Sequence, residues 1–336
     1  MEYIYLFLLS IIIFIGAIYY QRLIKSRKKS IVKILPLIIL MLIPAWFILN
    51  PKGNPKGGNI LNPIGEFVDS AQKALPGGKN VQTENKPSKE LENIIQDELK
   101  NSDGVYAIAI KNLKTNEYYY YNEDRKFDTA SLYKLWVMGA IYEEIEKGNL
   151  SKDKQIGFDA KTINERLDIA SESAEITEGF VGNTVKGALN RMITISDNYS
   201  AHILYLTIGW SKVGEFIENY GLNNSSTDSM TTTASDTLSY FEKLYNGELV
   251  SKASSDEMLE ILKKQELNDR IPKYLPKSVE VAHKTGELGA VKHDAGIVYG
   301  QTGDYIIVLL SETNNQTTAA EIEAKISEKV WKYFNQ

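Results

Sequence analysis

The sequence has 336 residues, a formal net charge of −5 and no cysteine. With 43% hydrophobic and 24% charged residues it has the composition of a globular protein, which excludes collagen-like and wholly disordered chains. Because the net charge is negative, the chain offers no basic field for phosphate, and we expect no nucleic-acid partner. The chain has three histidines, none of them at a spacing typical of metal ligands, and it has no thiol. We therefore expect neither a metal nor another cofactor.

Two uncharged segments open the chain, Tyr3–Tyr20 and Ile34–Asn50. Helices of that length rise about 25–27 Å, close to the roughly 30 Å hydrocarbon core of a bilayer. The segment between them carries six basic residues, which are Arg22, Lys25, Arg27, Lys28, Lys29 and Lys33. The sequence therefore predicts a two-helix transmembrane anchor over residues 1–50, which contacts the lipid bilayer through residues 3–50.

The positive-inside rule places the basic loop in the cytoplasm and everything after residue 50 outside the cell. The chain is thus predicted to sit in the cell membrane with its folded domain extracellular. A cleaved signal peptide followed by a core helix is the alternative. It fits less well, because Glu2 precedes the first segment and no small-residue cleavage site follows it.

Residues 51–87 predict a flexible linker, because glycine and proline recur there without sustained periodicity. Within it, Ile64–Leu75 is compatible either with a short surface helix or with a solvated tether. The folded domain is predicted over residues 88–336. It begins with Ser88, which is typical of a helix cap and precedes an amphipathic set of apolar residues.

Hydrophobic periodicity predicts the remaining elements in chain order. Val105–Lys111 and Glu117–Tyr121 form a hairpin pattern. Helical patterns follow at 131–147, 185–195, 198–208, 210–220, 234–245 and 254–264. Strand patterns at 279–284, 295–299 and 305–311 precede a last helix over 319–334. Because the strands before and after the helices must share one sheet, we expect an α+β fold with antiparallel pairing.

Three short motifs stand out in the predicted domain. Ser131 and Lys134 lie one helical turn apart at the start of a long helix, where a serine also gains from the helix dipole. The same spacing begins at Ser26, Ser30, Ser70 and Ser151, so it is not specific by itself. Ser196-Asp197-Asn198 and Lys284-Thr285-Gly286 follow downstream. Singly, these residues are compatible with solvated lysines and a helix cap; the ordered set predicts a serine-based catalytic site.

Together the motifs resemble the ordered signature of class A β-lactamases and penicillin-binding serine enzymes. The surrounding segments FDTASLYKLWVMGAIYEEIEKGNLS, TVKGALNRMITISDNYSAHILYLTIG and HKTGELGAVKHDAGIVYG extend the resemblance over residues 88–336. This part is identified as a class A β-lactamase-like serine hydrolase domain. The resemblance implies a β-lactamase/transpeptidase-like fold, in which helices flank an antiparallel sheet beside an all-helical subdomain.

The resemblance also implies roles for the first two motifs. Ser131 would be the nucleophile, and Lys134 the amine that activates it, with a pKa lowered by burial and nearby cations. Ser196 would relay a proton to the leaving nitrogen. Asn198 would orient Lys134 and the amide of the substrate.

The third motif would bind the substrate and complete the oxyanion hole. Lys284 would attract the substrate carboxylate, and Thr285 would hydrogen-bond it. Gly286 would let its strand approach the acyl group without an intervening side chain. The backbone N–H groups of Ser131 and Glu287 would stabilise the oxyanion.

One departure from the family pattern concerns deacylation. Family β-lactamases carry a glutamate on a loop between the second and third motifs, and it activates the deacylating water. Here Gly221–Ser235 contains no glutamate, and Asp228 is its only acid. We therefore expect acylation by β-lactams or peptidoglycan peptides with slow deacylation. A D,D-peptidase-type cell-wall enzyme and a weakly catalytic sensor of penicillin or muropeptides remain the alternatives.

Overall fold

The structure is a computed structural model that describes residues 86–335. The predicted membrane anchor over residues 1–50, and the linker as far as residue 85, lie outside the described residues. Between residues 86 and 335 no helix combines the length and apolar character needed to cross a bilayer. Ser88 caps the first helix of this part, because its side chain accepts a hydrogen bond from the Leu91 N–H.

A six-stranded sheet runs through the described domain. Its strands are β1 Lys86–Pro87, β2 Val105–Asn112, β3 Glu117–Tyr121, β8 Val281–Leu288, β9 Val291–Val298 and β10 Tyr305–Glu312, in the order β1-β3-β2-β10-β9-β8. Every pair is antiparallel except β1 with β3, where Lys86 lies opposite Glu117 in parallel register. The sheet is mixed, so the prediction of a wholly antiparallel sheet is wrong at this edge.

The parallel pair arises from the end of the predicted linker. Lys86–Pro87 runs beside β3, and the Ser88 N–H donates a hydrogen bond to the Tyr118 carbonyl oxygen at 2.8 Å. The last two residues of the segment predicted as linker, 51–87, are therefore part of the sheet. A strand of two residues is too short to show the alternation of apolar and polar residues by which a strand is recognised in a sequence.

Helices cover both faces of the sheet. They are α1 Lys89–Leu99, α2 Tyr133–Glu146, α3 Ala160–Arg166, α4 Val185–Thr194, α5 Asn198–Ile208, α6 Trp210–Asn219, α7 Ala234–Asn246, α8 Lys252–Leu262 and α9 Gln316–Phe334. In β2 the side chains alternate between the two faces. Ala107 and Ala109 join the large core shared with α2 and α4–α8, whereas Ile108 and Ile110 pack in the core formed with α1 and α9. Both faces of the sheet are therefore buried beneath helices.

The mainly helical region also contains short strands, so the prediction of an all-helical subdomain is wrong in this detail. These strands are β4 Phe127–Asp128, β5 Gln155–Asp159, β6 Phe180–Thr184 and β7 Thr231–Thr232, paired as β4 with β7 and β5 with β6. Gly157 and Gly182 lie opposite each other in the β5–β6 ladder, where a Cβ on Gly157 would come 2.5 Å from the Val181 carbonyl oxygen. Such short, glycine-containing strands give only a weak sequence signal.

Candidate active site

Ser131 lies in a short 3-10 helix, Ala130–Leu132, that leads directly into α2. Ala130 has a backbone φ of 42°, a left-handed value that is uncommon for a residue with a Cβ. The turn is fixed by the Asp128 side chain, which accepts a hydrogen bond from the Ala130 N–H at 2.8 Å, and by His293 Nε2, which lies 2.8 Å from the Asp128 carbonyl oxygen. Strain held in this way is typical of functional sites, where it fixes a reactive side chain.

Lys134 is fully buried, and its ammonium group faces the second motif. Its Nζ donates to the Ser196 carbonyl oxygen at 2.6 Å, to Ser196 Oγ at 3.2 Å and to Asn198 Oδ1 at 2.7 Å. Ser131 Oγ makes no hydrogen bond to any described residue, so the expected contact between Ser131 and Lys134 is not formed here. The three oxygens of the second motif satisfy all three donors of the amine.

Lys284 brings a second amine to the same hydroxyl. Its Nζ donates to Ser196 Oγ at 2.9 Å and to the Thr285 carbonyl oxygen at 2.8 Å. Burial lowers the pKa of Lys134 to about 8, although the negative charges of Asp197 and Glu175 act in the opposite direction. Burial also lowers the pKa of Lys284 well below its usual value, and the nearby charge of Lys134 lowers it further. A neutral amine beside Ser196 can accept a proton, which a solvated lysine could not do at neutral pH.

Each residue of the second motif has its own part in this geometry. Ser196 has a φ of 57°, again in the left-handed region. Asp197 caps α5 by accepting from the Ser200 N–H at 2.6 Å, and it pairs with Arg191 at 2.8 Å. The acid therefore anchors the start of α5. Ser196 and Asn198, on either side of it, supply the side-chain oxygens that contact Lys134.

Gly286 allows β8 to pack against the turn that carries Ser131. A Cβ added at Gly286 would lie 3.2 Å from the Thr129 carbonyl oxygen and 3.3 Å from Leu132 Cγ. In the described sheet β8 is an edge strand, so part of its backbone is left for a ligand. A side chain at position 286 would therefore crowd the turn that carries Ser131.

Glu287, predicted to donate its backbone N–H to the oxyanion, follows Gly286 on β8. The Ser131 N–H, the other predicted donor, has no acceptor among the described residues, as a free oxyanion-hole donor requires. The Glu287 carboxylate pairs with Arg270 Nη2 at 2.9 Å and with Lys292. Arg270 is buried and lowers the pKa of Lys284. No motif in the sequence indicated Arg270, because it reaches the site from the loop that precedes β8.

The model of the beta-lactamase enzyme family matches residues 88–334 of the chain. This protein belongs to the beta-lactamase enzyme family. At the level of that family it is a serine hydrolase that works through an acyl-enzyme, which confirms the reaction class predicted from the motifs. The family range also contains the predicted nucleophile and both downstream motifs.

Individual proteins support this assignment. Beta-lactamase VEB-1 of Pseudomonas aeruginosa is 26% identical over 286 residues, which cover 76% of this chain and 92% of VEB-1. The structure of a PBP-A mutant in an acyl-enzyme complex with penicillin G matches with a TM-score of 0.66 and 21% identity, over 74% of this chain and 98% of that one. A beta-lactamase from Sphaerobacter thermophilus DSM 20745 matches with a TM-score of 0.65 and 21% identity, over 73% and 97%. The two structures establish the shared fold.

The loop that lacks the family glutamate contributes no acid to the network. Asp228 is exposed and forms no hydrogen bond or ion pair with any described residue. Its turn is closed by backbone hydrogen bonds in both directions between Ser226 and Thr231. In this beta-lactamase family member, Lys134, Ser196, Asn198 and Lys284 thus form one hydrogen-bonded network, and the one acid of loop 221–235 makes no contact with it.

An acid that sequence reasoning missed does reach the network. Asn198 Nδ2 donates to Glu175 Oε1 at 2.6 Å. Glu175 lies in the exposed loop between α3 and β6, upstream of the second motif. No spacing rule indicates an acid there, because the contact depends on how that loop folds back over the start of α5.

Proposed function

We propose that this protein is an active-site serine hydrolase whose Ser131 is acylated by β-lactams or by related cell-wall peptides. The observation that carries the proposal is the hydrogen-bonded network of Lys134, Ser196, Asn198 and Lys284. Burial of both amines lowers their pKa, so that one of them can act as a base near neutral pH. VEB-1 is named a beta-lactamase and the PBP-A mutant holds penicillin G as an acyl-enzyme, which supports the same chemistry here.

The proposed acylation conserves atoms and charge. Neutral Lys134 turns toward Ser131 and accepts the hydroxyl proton as Oγ attacks the carbonyl carbon. The carbonyl oxygen becomes an oxyanion that the N–H groups of Ser131 and Glu287 stabilise. The carbon–nitrogen bond then breaks, and Ser196 passes a proton from Lys134 to the leaving nitrogen. Lys284 holds the negative charge of the substrate carboxylate, together with Thr285.

Penicillin labelling tests the nucleophile. The full chain, purified in detergent, should bind a fluorescent penicillin covalently, and peptide mass spectrometry should place the adduct on Ser131. Ser131→Ala should abolish labelling. Ser151→Ala is the matched control, because Ser151 has the same spacing to a lysine but is exposed and remote in sequence from the motifs. Full labelling of the Ser131 variant would overturn the assignment.

We further propose that deacylation is slow. Loop 221–235 supports this proposal, because it carries no glutamate and its Asp228 contacts none of the network residues. A water that attacks the acyl-enzyme needs a base within about 2.6–3.2 Å, directly or through one relay. A slowly released acyl-enzyme would suit a D,D-peptidase-type enzyme or a penicillin sensor as well as a poor β-lactamase. Turnover of nitrocefin and of a D-Ala-D-Ala peptide by the same preparation would separate these roles.

The anchor completes the proposal. Two uncharged segments with a basic loop between them favour a membrane hairpin with the domain outside the cell, where cell-wall substrates occur. Protease added to intact protoplasts should release a soluble fragment. Its first residue should precede Lys86, because Lys86–Pro87 belongs to the sheet. A domain that stays protected until the membrane is permeabilised would contradict this orientation.

A further inference from the structure

We propose that Glu323 is a protonated carboxylic acid in the folded domain at neutral pH, and that its proton makes the fold less stable as the pH rises. The residue lies on α9, is fully buried and contacts Ser311 on β10. It belongs to none of the three motifs and takes no part in the proposed acylation. The inference therefore goes beyond the proposed function and does not depend on it.

The hydroxyl group of Ser311 has one proton to donate but two close oxygen neighbours. Its Oγ lies 2.6 Å from the Lys292 carbonyl oxygen and 2.9 Å from Glu323 Oε1. A carbonyl oxygen cannot donate, and two oxygens so close would repel each other without a proton between them, so the hydroxyl proton belongs to the shorter contact. The longer contact is then a hydrogen bond only if Glu323 donates, and a carboxyl group donates only when it is protonated.

The other oxygen of the carboxyl group supports the same assignment. Glu323 Oε2 is buried and has no hydrogen-bond partner among the described residues. A carboxylate there would hold a negative charge away from water with one oxygen unsatisfied, which is a costly arrangement in a protein interior. In the protonated form Oε2 is an uncharged carbonyl oxygen, and its missing hydrogen bond costs much less.

Two cations face Glu323, but other acids already pair with them. Arg270, in the loop before β8, donates to Glu287 at 2.9 Å and lies 3.4 Å from Asp269. Lys292, on β9, pairs with the same two acids. Glu323 itself forms no ion pair with any described residue. Its charge would therefore have no partner of its own.

The remaining groups around Glu323 favour the neutral acid. Burial raises its pKa well above the usual range, and the negative charge of Asp294 on β9 raises it further, while Arg270 and Lys292 act in the opposite direction. Tyr106, on β2, has a buried hydroxyl group without a partner among the described residues. Burial, together with the charge of Glu323, raises the pKa of Tyr106 to about 12, so this neighbour stays neutral as well.

A buried proton of this kind makes stability depend on pH. In the unfolded chain Glu323 has the ordinary glutamate pKa of about 4.3, and below that pH the residue is neutral in both states. Above it, the unfolded chain releases a proton that the folded domain keeps. Each further pH unit therefore lowers the contribution of this residue to the folding equilibrium constant about tenfold, until the pH passes the pKa of the folded state.

Glu323→Gln tests the inference, because a carboxamide has the shape of the protonated acid and can donate to Ser311 but cannot ionise. We would measure the melting temperature of the full chain in detergent from about pH 5 to about pH 8. Relative to the natural protein, the variant should gain roughly 3–6 °C for each pH unit. Glu328→Gln is the matched control, because Glu328 lies on the same helix in an exposed pair with Lys332. It should keep the natural pH dependence.

Infrared spectroscopy reads the proton directly. At neutral pH the natural protein should show the C=O stretch of a protonated carboxyl group, and Glu323→Gln should lack this contribution. A natural spectrum without that band would overturn the inference, whether or not the variant folds. A melting-temperature difference that stays constant with pH, or that favours the natural protein more as the pH rises, would overturn it too. None of these results depends on whether Ser131 is acylated.

Discussion

Lys134 and Asp228 show how differently the two candidate proton-transfer groups are built. The Lys134 side chain is fully buried and makes three hydrogen bonds to the second motif. Asp228 is exposed in a tight turn and bonds to none of the described residues. Burial lowers the pKa of Lys134 to about 8. The comparison teaches that the second motif surrounds a buried amine with hydrogen-bond acceptors, whereas the one acid of loop 221–235 has no such partners.

The largest expected effect comes from removing the buried amine. Lys134→Met should lower the rate of Ser131 acylation by roughly 10²–10⁴-fold, the range typical of losing a general base. Stopped-flow labelling with a penicillin measures the rate, and a thermal melt checks the fold. Lys154→Met is the matched control, because Lys154 has the same spacing to a serine but is exposed. A Lys134 variant that acylates at the natural rate would remove the amine from the mechanism.

The next effect concerns pH. The proposed base is the neutral form of Lys134, so acylation should increase with pH until the amine is mostly deprotonated. With a pKa of about 8, the neutral fraction rises about fiftyfold between pH 6 and pH 8. Acylation rates measured between pH 6 and pH 8 should follow this increase in the neutral fraction of Lys134. A rate that falls with rising pH, or a flat profile, would mean that another group accepts the proton.

A smaller effect tests the other side of the comparison. Mixing with nitrocefin should give a burst of about one equivalent, followed by turnover at least tenfold slower than acylation. Asp228→Asn should change neither phase by more than about twofold, because the side chain has no partner in the described residues. Fast steady turnover without an observable acyl-enzyme would show that a base is present. A specific loss in the Asp228 variant would identify it.

The smallest effect concerns the cap at the start of α5, next to the network residues Ser196 and Asn198. Asp197→Ala removes the cap of α5 and the pair with Arg191, and should cost about 1 kcal/mol of stability. That corresponds to a melting temperature lower by roughly 2–4 °C for a domain of this size. Asp197→Asn keeps a capping oxygen and should recover most of the loss. Equal melting temperatures for the natural and alanine forms would contradict the capping role.

Much of the fold follows from local sequence. Helix caps, amphipathic spacing and the β2–β3 hairpin are local signals, and the structure has these elements close to their predicted bounds. The strand pattern over 295–299 leaves out the first half of β9, because Val291 is followed there by Lys292, His293 and Asp294, which are all buried. Three polar residues in succession are typical of a loop in a sequence. In the structure their polar groups find partners that are distant in sequence, such as the Asp128 carbonyl oxygen beside His293 Nε2.

The sequence by itself determined the three motifs, their order and the family, because catalysis requires particular residue types at fixed local spacing. Tertiary structure alone decided that two buried amines share the Ser196 hydroxyl, that Arg270 pairs with Glu287 and that Glu175 reaches Asn198. These contacts join segments whose separation along the chain carries no periodic signal. The lowered pKa of Lys134 depends on burial, and that burial exists only once the whole domain has folded around the side chain.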